Sequence, residues 1–191
     1  MVTAQTTDRW AQARSWAQHA RVPLGFLVGV VFLATAQPSP QWMAVGALIG
    51  GVGAALRAWA TGHLRKDEAL AVRGPYRLTR NPLYLGSWLM MMGCLTAAAP
   101  WPLALVISAL FVAVYWPVMR AEEAHLHKLF PDEYPAYAAR TPLFLPTWRN
   151  FGAAWRDGFD GRLYLRHREY RAVLGLAGVF LALGALWLWQ Q

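Results

Sequence analysis

Two short charged clusters in an otherwise apolar chain hold the residue types that could do chemistry. The first is Gly74-Pro-Tyr-Arg-Leu-Thr-Arg-Asn-Pro-Leu-Tyr-Leu-Gly86, where a charged loop turns into an apolar helix without a spacer. Asn81 suits the N-cap, its side-chain oxygen accepting from a free backbone N–H. Pro82 suits the first helical position, where a missing donor costs nothing. The helix is expected to begin at Asn81, so that its donor-rich, positive end lies beside Arg80, and such an end binds carboxylates. Gly74 and Pro75 predict a turn, while Tyr76 and Tyr84 add aromatic faces with hydroxyl tips. These residues would suit a zwitterionic, aromatic-bearing small molecule. They equally describe a helix cap with snorkelling arginines and an interfacial tyrosine belt, and on this segment alone that second reading is slightly favoured.

The second cluster is Arg120-Ala-Glu-Glu-Ala-His-Leu-His127. Arg120 and Glu123 share a helix face, as do Glu123 and His127. A carboxylate there could fix an ammonium group or a pair of ribose hydroxyls. As an isolated feature it is better read as a solvated ion pair that contributes little. His125 and His127 are two apart and point to different sides, so no metal site is expected. Arg57 is the only charge inside an apolar block; it either faces a partner in the bundle interior or snorkels toward the surface near His63.

Taken together, a helix end with Arg80 and the carboxylates Glu122 and Glu123 match a ligand carrying both a carboxylate and an ammonium group, such as an amino-acid moiety. The chain has no Gly-x-Ser-x-Gly and no cysteine near a histidine in a polar setting, so covalent catalysis by a protein nucleophile is not expected. A transfer whose reactivity is carried by a cofactor fits better.

The elements that must position these clusters are membrane helices. Of 191 residues 57% are hydrophobic and 15% charged, and the charges flank long apolar blocks, which marks an integral membrane protein. The net charge of +8 lies at span ends, which argues against a nucleic-acid partner and for membrane lipids. The lone Cys94 excludes a disulfide framework within one chain. The first twenty residues lack the features of a cleavable signal peptide, and Trp10, Trp16, Arg9, Arg14 and Arg21 fit a surface-lying helix or a loose tail.

Five spans are expected: Val22 to Ala36, closed by Pro38 and Pro40; Trp42 to about His63; Pro82 to Ala99; Leu103 to about Met119; and Ala172 to Trp189. The second has Gly46-x-x-x-Gly50 with Gly51 and Gly53, which lets another helix approach closely. The fourth is expected to leave the membrane unbroken and carry its acidic turn to Phe130. Pro131 to Pro135 ends it, Thr141 to Pro146 is extended, and Arg149 to Arg171 is basic and aromatic. The reversals at Gln37 to Gln41 and Pro100 to Pro102 contain no Lys or Arg, so the positive-inside rule places the N-terminal arm, Leu64 to Arg80 and Arg120 to Arg171 in the cytoplasm. The organisation is then an all-α, polytopic membrane helix bundle: an arm over 1–21, a four-span core with a cytoplasmic site over 22–146, and a basic segment plus fifth span over 147–191.

Gly74-Pro-Tyr with Thr-Arg-Asn-Pro-Leu-Tyr-Leu-Gly86, followed by Arg120-Ala-Glu-Glu-x-x-Leu126, Phe130-x-x-Glu-Tyr-x-x-Tyr137 and Pro142-x-x-x-Pro146, resembles the isoprenylcysteine carboxyl methyltransferase family, the broader group that includes phospholipid N-methyltransferases. The likeness covers roughly Arg57 to Pro146. It implies S-adenosylmethionine as methyl donor, S-adenosylhomocysteine as product, no metal, and a lipophilic acceptor entering from the lipid, either a prenylcysteine-like carboxylate or a lipid amine. Carried over to this chain, Leu70, Ala71 and the residues to Gly74 would line the adenine side. Tyr76, Arg80, Asn81 and Tyr84 would hold the methionine portion, and Glu123, with Glu122, its ammonium group or the ribose. A carboxylate acceptor could be oriented by Arg57 or Arg120, and an amine would need Glu122 or Glu123 as base. Many relatives have histidine where this chain has Asn81, which can cap and hydrogen-bond but not exchange a proton near neutral pH. A nicotinamide-dependent membrane reductase and a non-catalytic lipid-binding protein, with Arg149 to Arg171 as an anionic-lipid patch, are the rival expectations.

Overall fold

A computed structural model describes residues 23, 25–66 and 68–191. The expected arm helix around Trp10 and Trp16, the start of the first block at Val22, and Asp67 lie outside the described residues. Every regular element described is helical: α1 (Gly25–Thr35), α2 (Pro40–Thr61), a 3₁₀ turn (Gly74–Arg77), α3 (Pro82–Ala98), α4 (Trp101–Leu129), α5 (Tyr134–Arg140), α6 (Phe151–Arg156), α7 (Gly161–Arg166) and α8 (Tyr170–Trp189). Helices α2, α4 and α8 are long and apolar enough to cross a membrane, and α1 and α3 are shorter apolar helices. Outward leucines such as Leu48, Leu105 and Leu181 are exposed, as a lipid-facing surface requires. The chain is a helical membrane bundle.

Proline placement sets the helix starts. Pro40 and Pro82 each occupy the first turn of their helix, where no N–H is needed. The reversal expected over Pro100 to Pro102 is tighter than that, because Pro102 already belongs to the first turn of α4. Helix α4 runs for 29 residues, through Pro117 and past the apolar block to Leu129, and so carries its acidic turn out as expected. The stop at Pro131 to Pro135 is immediate but brief, since Pro135 opens α5.

Helices α2 and α3 touch backbone to backbone. A Cβ added at Gly46 would lie 2.3 Å from the Gly93 carbonyl oxygen, and one at Gly53 would lie 2.6 Å from that of Gly86. The glycine pattern of α2 therefore meets a second one on α3, whereas Gly51 faces open space. Phe32, Leu95, Ala97, Ile107 and Leu183 close a small core joining α1, α3, α4 and α8.

The loop before α3 is fastened from two sides. The Thr79 hydroxyl donates to Phe144 O at 2.9 Å, Arg80 N–H to Pro142 O at 2.9 Å and Thr147 N–H to Leu78 O at 2.9 Å, so the proline-bound 141–147 segment is laid along it. On the other side Asp157 accepts from Gly74 N–H at 2.7 Å and from Arg77 Nε at 2.6 Å. Gly74 has φ +58°, and an added Cβ would meet the His63 ring at 2.6 Å, so only glycine suits that corner.

The glycine contacts predict that Gly93→Val separates α2 from α3. Overpacking of this kind costs about 1–3 kcal/mol, read as a fall of roughly 3–10 °C in melting temperature in detergent, while Gly51→Ala leaves it unchanged or slightly raised. The Asp157 clasp predicts that Asp157→Asn makes the neighbouring loop several-fold more susceptible to trypsin at Arg65, Lys66 and Arg73. The Arg77 hydrogen bond, helped by Gly74 N–H, holds the Asp157 carboxyl below its ordinary range. A depressed folded value means that the clasp is complete above the free carboxyl value of about 3.9 and is lost as the pH falls through the lowered one.

Candidate functional site

The two clusters meet. Arg80, at the end of the loop, donates from Nη1 to Glu123 of α4, and Arg120 donates to the other oxygen of the same carboxylate. Arg80 also donates to the Tyr134 hydroxyl at 3.2 Å. Its side chain is only 12% exposed, so it does not snorkel. Burial works against its charge, but the hydrogen bonds it donates to Tyr134 and Glu123 outweigh that and leave the guanidinium above its ordinary value. It is therefore a permanent cation. Its Nε is buried and has no hydrogen-bond partner among the described residues.

Beside this pair lies a cavity of about 640 Å³, within the range that takes cofactor-sized ligands. Its wall comes from six places. The loop gives Leu64, Arg65, Lys66, Leu70 and Ala71, and the 3₁₀ turn gives Tyr76. The start of α3 supplies Arg80, Asn81, Tyr84 and Ser87, and α4 supplies Tyr115, Val118, Glu122 and Glu123. Arg57 of α2 and Tyr134 and Tyr137 of α5 complete it. The wall thus combines polar and ionic residues with residues of the apolar helices.

Of the residues singled out in the sequence, Arg57, Leu70, Ala71, Tyr76, Arg80, Asn81, Tyr84, Glu122 and Glu123 are brought together here. Gly74 shapes the loop from outside the cavity wall through its backbone, and Arg120 reaches the wall only through Glu123. The expected cap differs. Asn81 is the residue before α3, but its side chain makes no capping hydrogen bond. Its Nδ2 instead donates to Leu143 O at 2.9 Å, because the 141–147 segment offers a buried carbonyl. The end of α3 is left uncapped by that side chain, and Leu85 N–H to Asn81 O at 3.1 Å is the first intrahelical bond.

Arg57 proves to have the partner that its place in a span demands. Its Nε and Nη2 hold the two oxygens of Glu169 at 3.0 and 2.5 Å, and Nη1 reaches Ser87 Oγ at 2.5 Å and Leu83 O at 3.3 Å. Glu122 is differently placed: Tyr84 donates its hydroxyl to the Glu122 carboxylate at 3.3 Å.

Sequence reasoning gave no role to Tyr134, Tyr137, Asp157 or Glu169. The tyrosines are three apart on α5, which puts both on one face; Tyr137 donates to Tyr76 O at 2.8 Å, and burial holds it protonated and able to donate. Asp157 and Glu169 were recognisable as acids in a basic stretch, but nothing local named their partners. Among the described residues no group of three or more His, Cys, Asp and Glu could hold a metal ion.

Comparison with known proteins agrees with this architecture. Residues 53–133 match the family model described as phospholipid methyltransferase, a span that includes Arg57, the loop, α3 and the acidic end of α4. A cobalt-zinc-cadmium resistance protein of Cupriavidus metallidurans is 33% identical over 110 residues, covering 56% of this chain and 50% of that protein. A nickel-cobalt-cadmium resistance protein of Alcaligenes xylosoxydans xylosoxydans is 30% identical over 131 residues, covering 63% and 61% respectively. The chain thus spans between half and three fifths of the length of these curated relatives. No solved structure matches it. The cavity is built almost entirely from the segment that is similar to the phospholipid methyltransferase family, residues 53–133, and from the residues packed on it.

Proposed function

We propose that the chain is an S-adenosylmethionine-dependent methyltransferase acting at the cytoplasmic membrane face on a lipophilic acceptor, a lipid amine or a prenylcysteine-like carboxylate. The observation that carries this reading is that Arg80 and Glu123, from the two separate motifs, are joined on one cavity. The chain's residues fit the donor. The orphaned Arg80 Nε is a buried donor that a carboxylate would satisfy, and Glu122 is an acceptor for an ammonium group. Leu64, Leu70 and Ala71 offer apolar surface to a purine, and Tyr76 a ring. When bound, the donor supplies an electrophilic sulfonium methyl: the acceptor's lone pair forms the new bond to carbon, and the carbon–sulfur pair stays on sulfur, giving S-adenosylhomocysteine.

The chain's contribution is binding, orientation and exclusion of water. Arg80 is fixed by Glu123 and Tyr134 before any ligand arrives. An acceptor of the amine class must lose a proton; Glu122 on the cavity wall is the candidate base for that class, and the donor's ammonium group then falls to Glu123. A carboxylate acceptor needs no base, and Arg57 at the span side would orient it. Arg120 acts at one remove, by holding Glu123. Reversals without Lys or Arg, opposite loops rich in both, support five crossings with the cavity on the cytoplasmic side. The metal-resistance names of the two relatives suggest a setting of divalent-metal stress for the product, and growth on cobalt or nickel salts with and without the gene asks that directly.

Arg80→Ala and Glu123→Ala are expected to weaken S-adenosylhomocysteine by about 30-fold or more in detergent titration, the equivalent of roughly 2 kcal/mol for a buried charged contact, while the protein still inserts and purifies. Unchanged affinity in both variants would sink the assignment. A thermal-shift comparison separates the enzyme classes: S-adenosylhomocysteine is expected to raise the melting temperature and NADPH to leave it where it is. The opposite pattern would favour a nicotinamide-dependent reductase, and no response to either would favour a lipid-binding protein.

A further inference from the structure

The family-matched segment ends at residue 133, yet one carboxylate that shapes the cavity comes from far beyond it. Glu169 precedes α8 and grips the Arg57 guanidinium with both oxygens. The Glu169 side chain is 12% exposed. Arg57 is held along its whole length. Its stem presses on α3, where a Cβ added at Gly86 would lie 2.6 Å from Arg57 Cγ, and its head is shared between Glu169, Ser87 and Leu83 O. Arg57 also lines the cavity. The residue before Glu169 has an uncommon backbone: Arg168 has φ +53°, the only positive φ of a described residue other than glycine, a conformation that persists where surrounding structure enforces it. The charge of Glu169 also reaches the cavity wall. Tyr76 is pushed above its ordinary value first by burial and then by Glu122, Tyr137 and Glu169, with Arg57 opposing.

We infer that Glu169 is a positioning residue of the acceptor half of the cavity, acting through Arg57, so that the carboxyl-terminal segment completes a site whose donor half lies in the family-matched segment. The inference rests on the methyltransferase reading. Arg57 borders the cavity beside its α3 partners Leu83 and Ser87, whereas Arg80 is held by Glu123 of α4. Because Glu169 bonds to Arg57 and not to Arg80 or Glu123, loosening it weakens acceptor binding more than donor binding. The Glu169–Arg57 pair also costs desolvation that exposed pairs avoid, a cost explained if the fixed guanidinium is what the site needs.

The test measures two quantities on the full chain in mixed micelles. One is S-adenosylhomocysteine affinity by titration. The other is transfer of a tritiated methyl from S-adenosylmethionine into the total lipid extract of the cells that make the protein, as the extract's mole fraction is varied. Glu169→Gln and Glu169→Ala are expected to keep donor affinity within about twofold while raising the half-saturating mole fraction at least about tenfold, with Glu169→Asp recovering most of the loss and Arg57→Lys reproducing it. An unchanged half-saturation in Glu169→Gln overturns the inference. So does an equal loss of donor affinity, which would make the pair merely structural, and so does wild-type donor binding without any transfer, which would leave no acceptor half to position. Failure of the wild type to bind S-adenosylhomocysteine is a separate result and removes the methyltransferase reading itself.

Discussion

The close contact of α2 and α3 sets the position of everything at the cavity. Lipid gives two apolar helices no hydrophobic reason to associate, so they hold together by packing, and packing tightens as backbones approach. Gly46 and Gly53 on one helix recur seven residues apart, as do Gly86 and Gly93 on the other, and this common period locks their register. Arg57 follows Gly53 by four residues and so lies on the same face. In that register it arrives at the Leu83 carbonyl and the Ser87 hydroxyl, the polar groups that the first turns of α3 can offer. Displaced by one turn along α3, it would meet apolar side chains of the Met90 region and no acceptor. Steric freedom at glycine thus decides where a charge goes.

Around that seam, arginine and carboxylate pairs join segments distant in sequence: Arg57 with Glu169, Arg77 with Asp157, and Arg80 with Glu123. At a membrane boundary each partly buried charge needs its counterpart, and buried pairs return little net stability. Their consequence is geometric. Three pairs tie α2, the loop and the start of α3 to α4 and to the carboxyl-terminal segment, leaving the enclosed space between them. Glu123 shares its two oxygens between Arg80 and Arg120, so its charge is already answered. Glu122 meets a neutral hydroxyl instead. The sequence expectation that treated the adjacent glutamates as one pair is refined: neighbours on a helix are about 100° apart around its axis and face different surroundings.

Much of this was legible in the residues. Apolar blocks and prolines located the helices to within a few positions, and the glycine spacing announced a close helix contact before its partner was known. The lone charge in a span announced that a partner existed. What could not be read was which partner, since Arg57 and Glu169 are 112 residues apart and no local pattern encodes their meeting. Asn81 was misread in detail for a related reason. Local rules assign its side chain to the helix end, but a carbonyl of the 141–147 segment, brought in by tertiary packing, competes for it and wins. The site was visible where its residues came in consecutive motifs and hidden where it was assembled from single residues in the carboxyl-terminal segment.

The shape of the cavity follows from where α4 leaves the apolar layer. Because the helix continues unbroken past Pro117 to Leu129, the same element presents Val114, Tyr115 and Val118 and then Glu122 and Glu123 to one space. These residues recur at three- and four-residue intervals, the spacing of a single helix face. A wall that changes from apolar to ionic along one axis is what a reaction between a water-soluble donor and a membrane-soluble acceptor requires, since each reactant must leave its own solvent only at the point of contact. On the proposed reading, the boundary between the two halves falls near Tyr84 and Tyr115, whose rings lie 5.4 Å apart, with the Tyr84 hydroxyl turned to Glu122. Tyrosine suits that boundary because its ring tolerates the apolar side and its hydroxyl the ionic one.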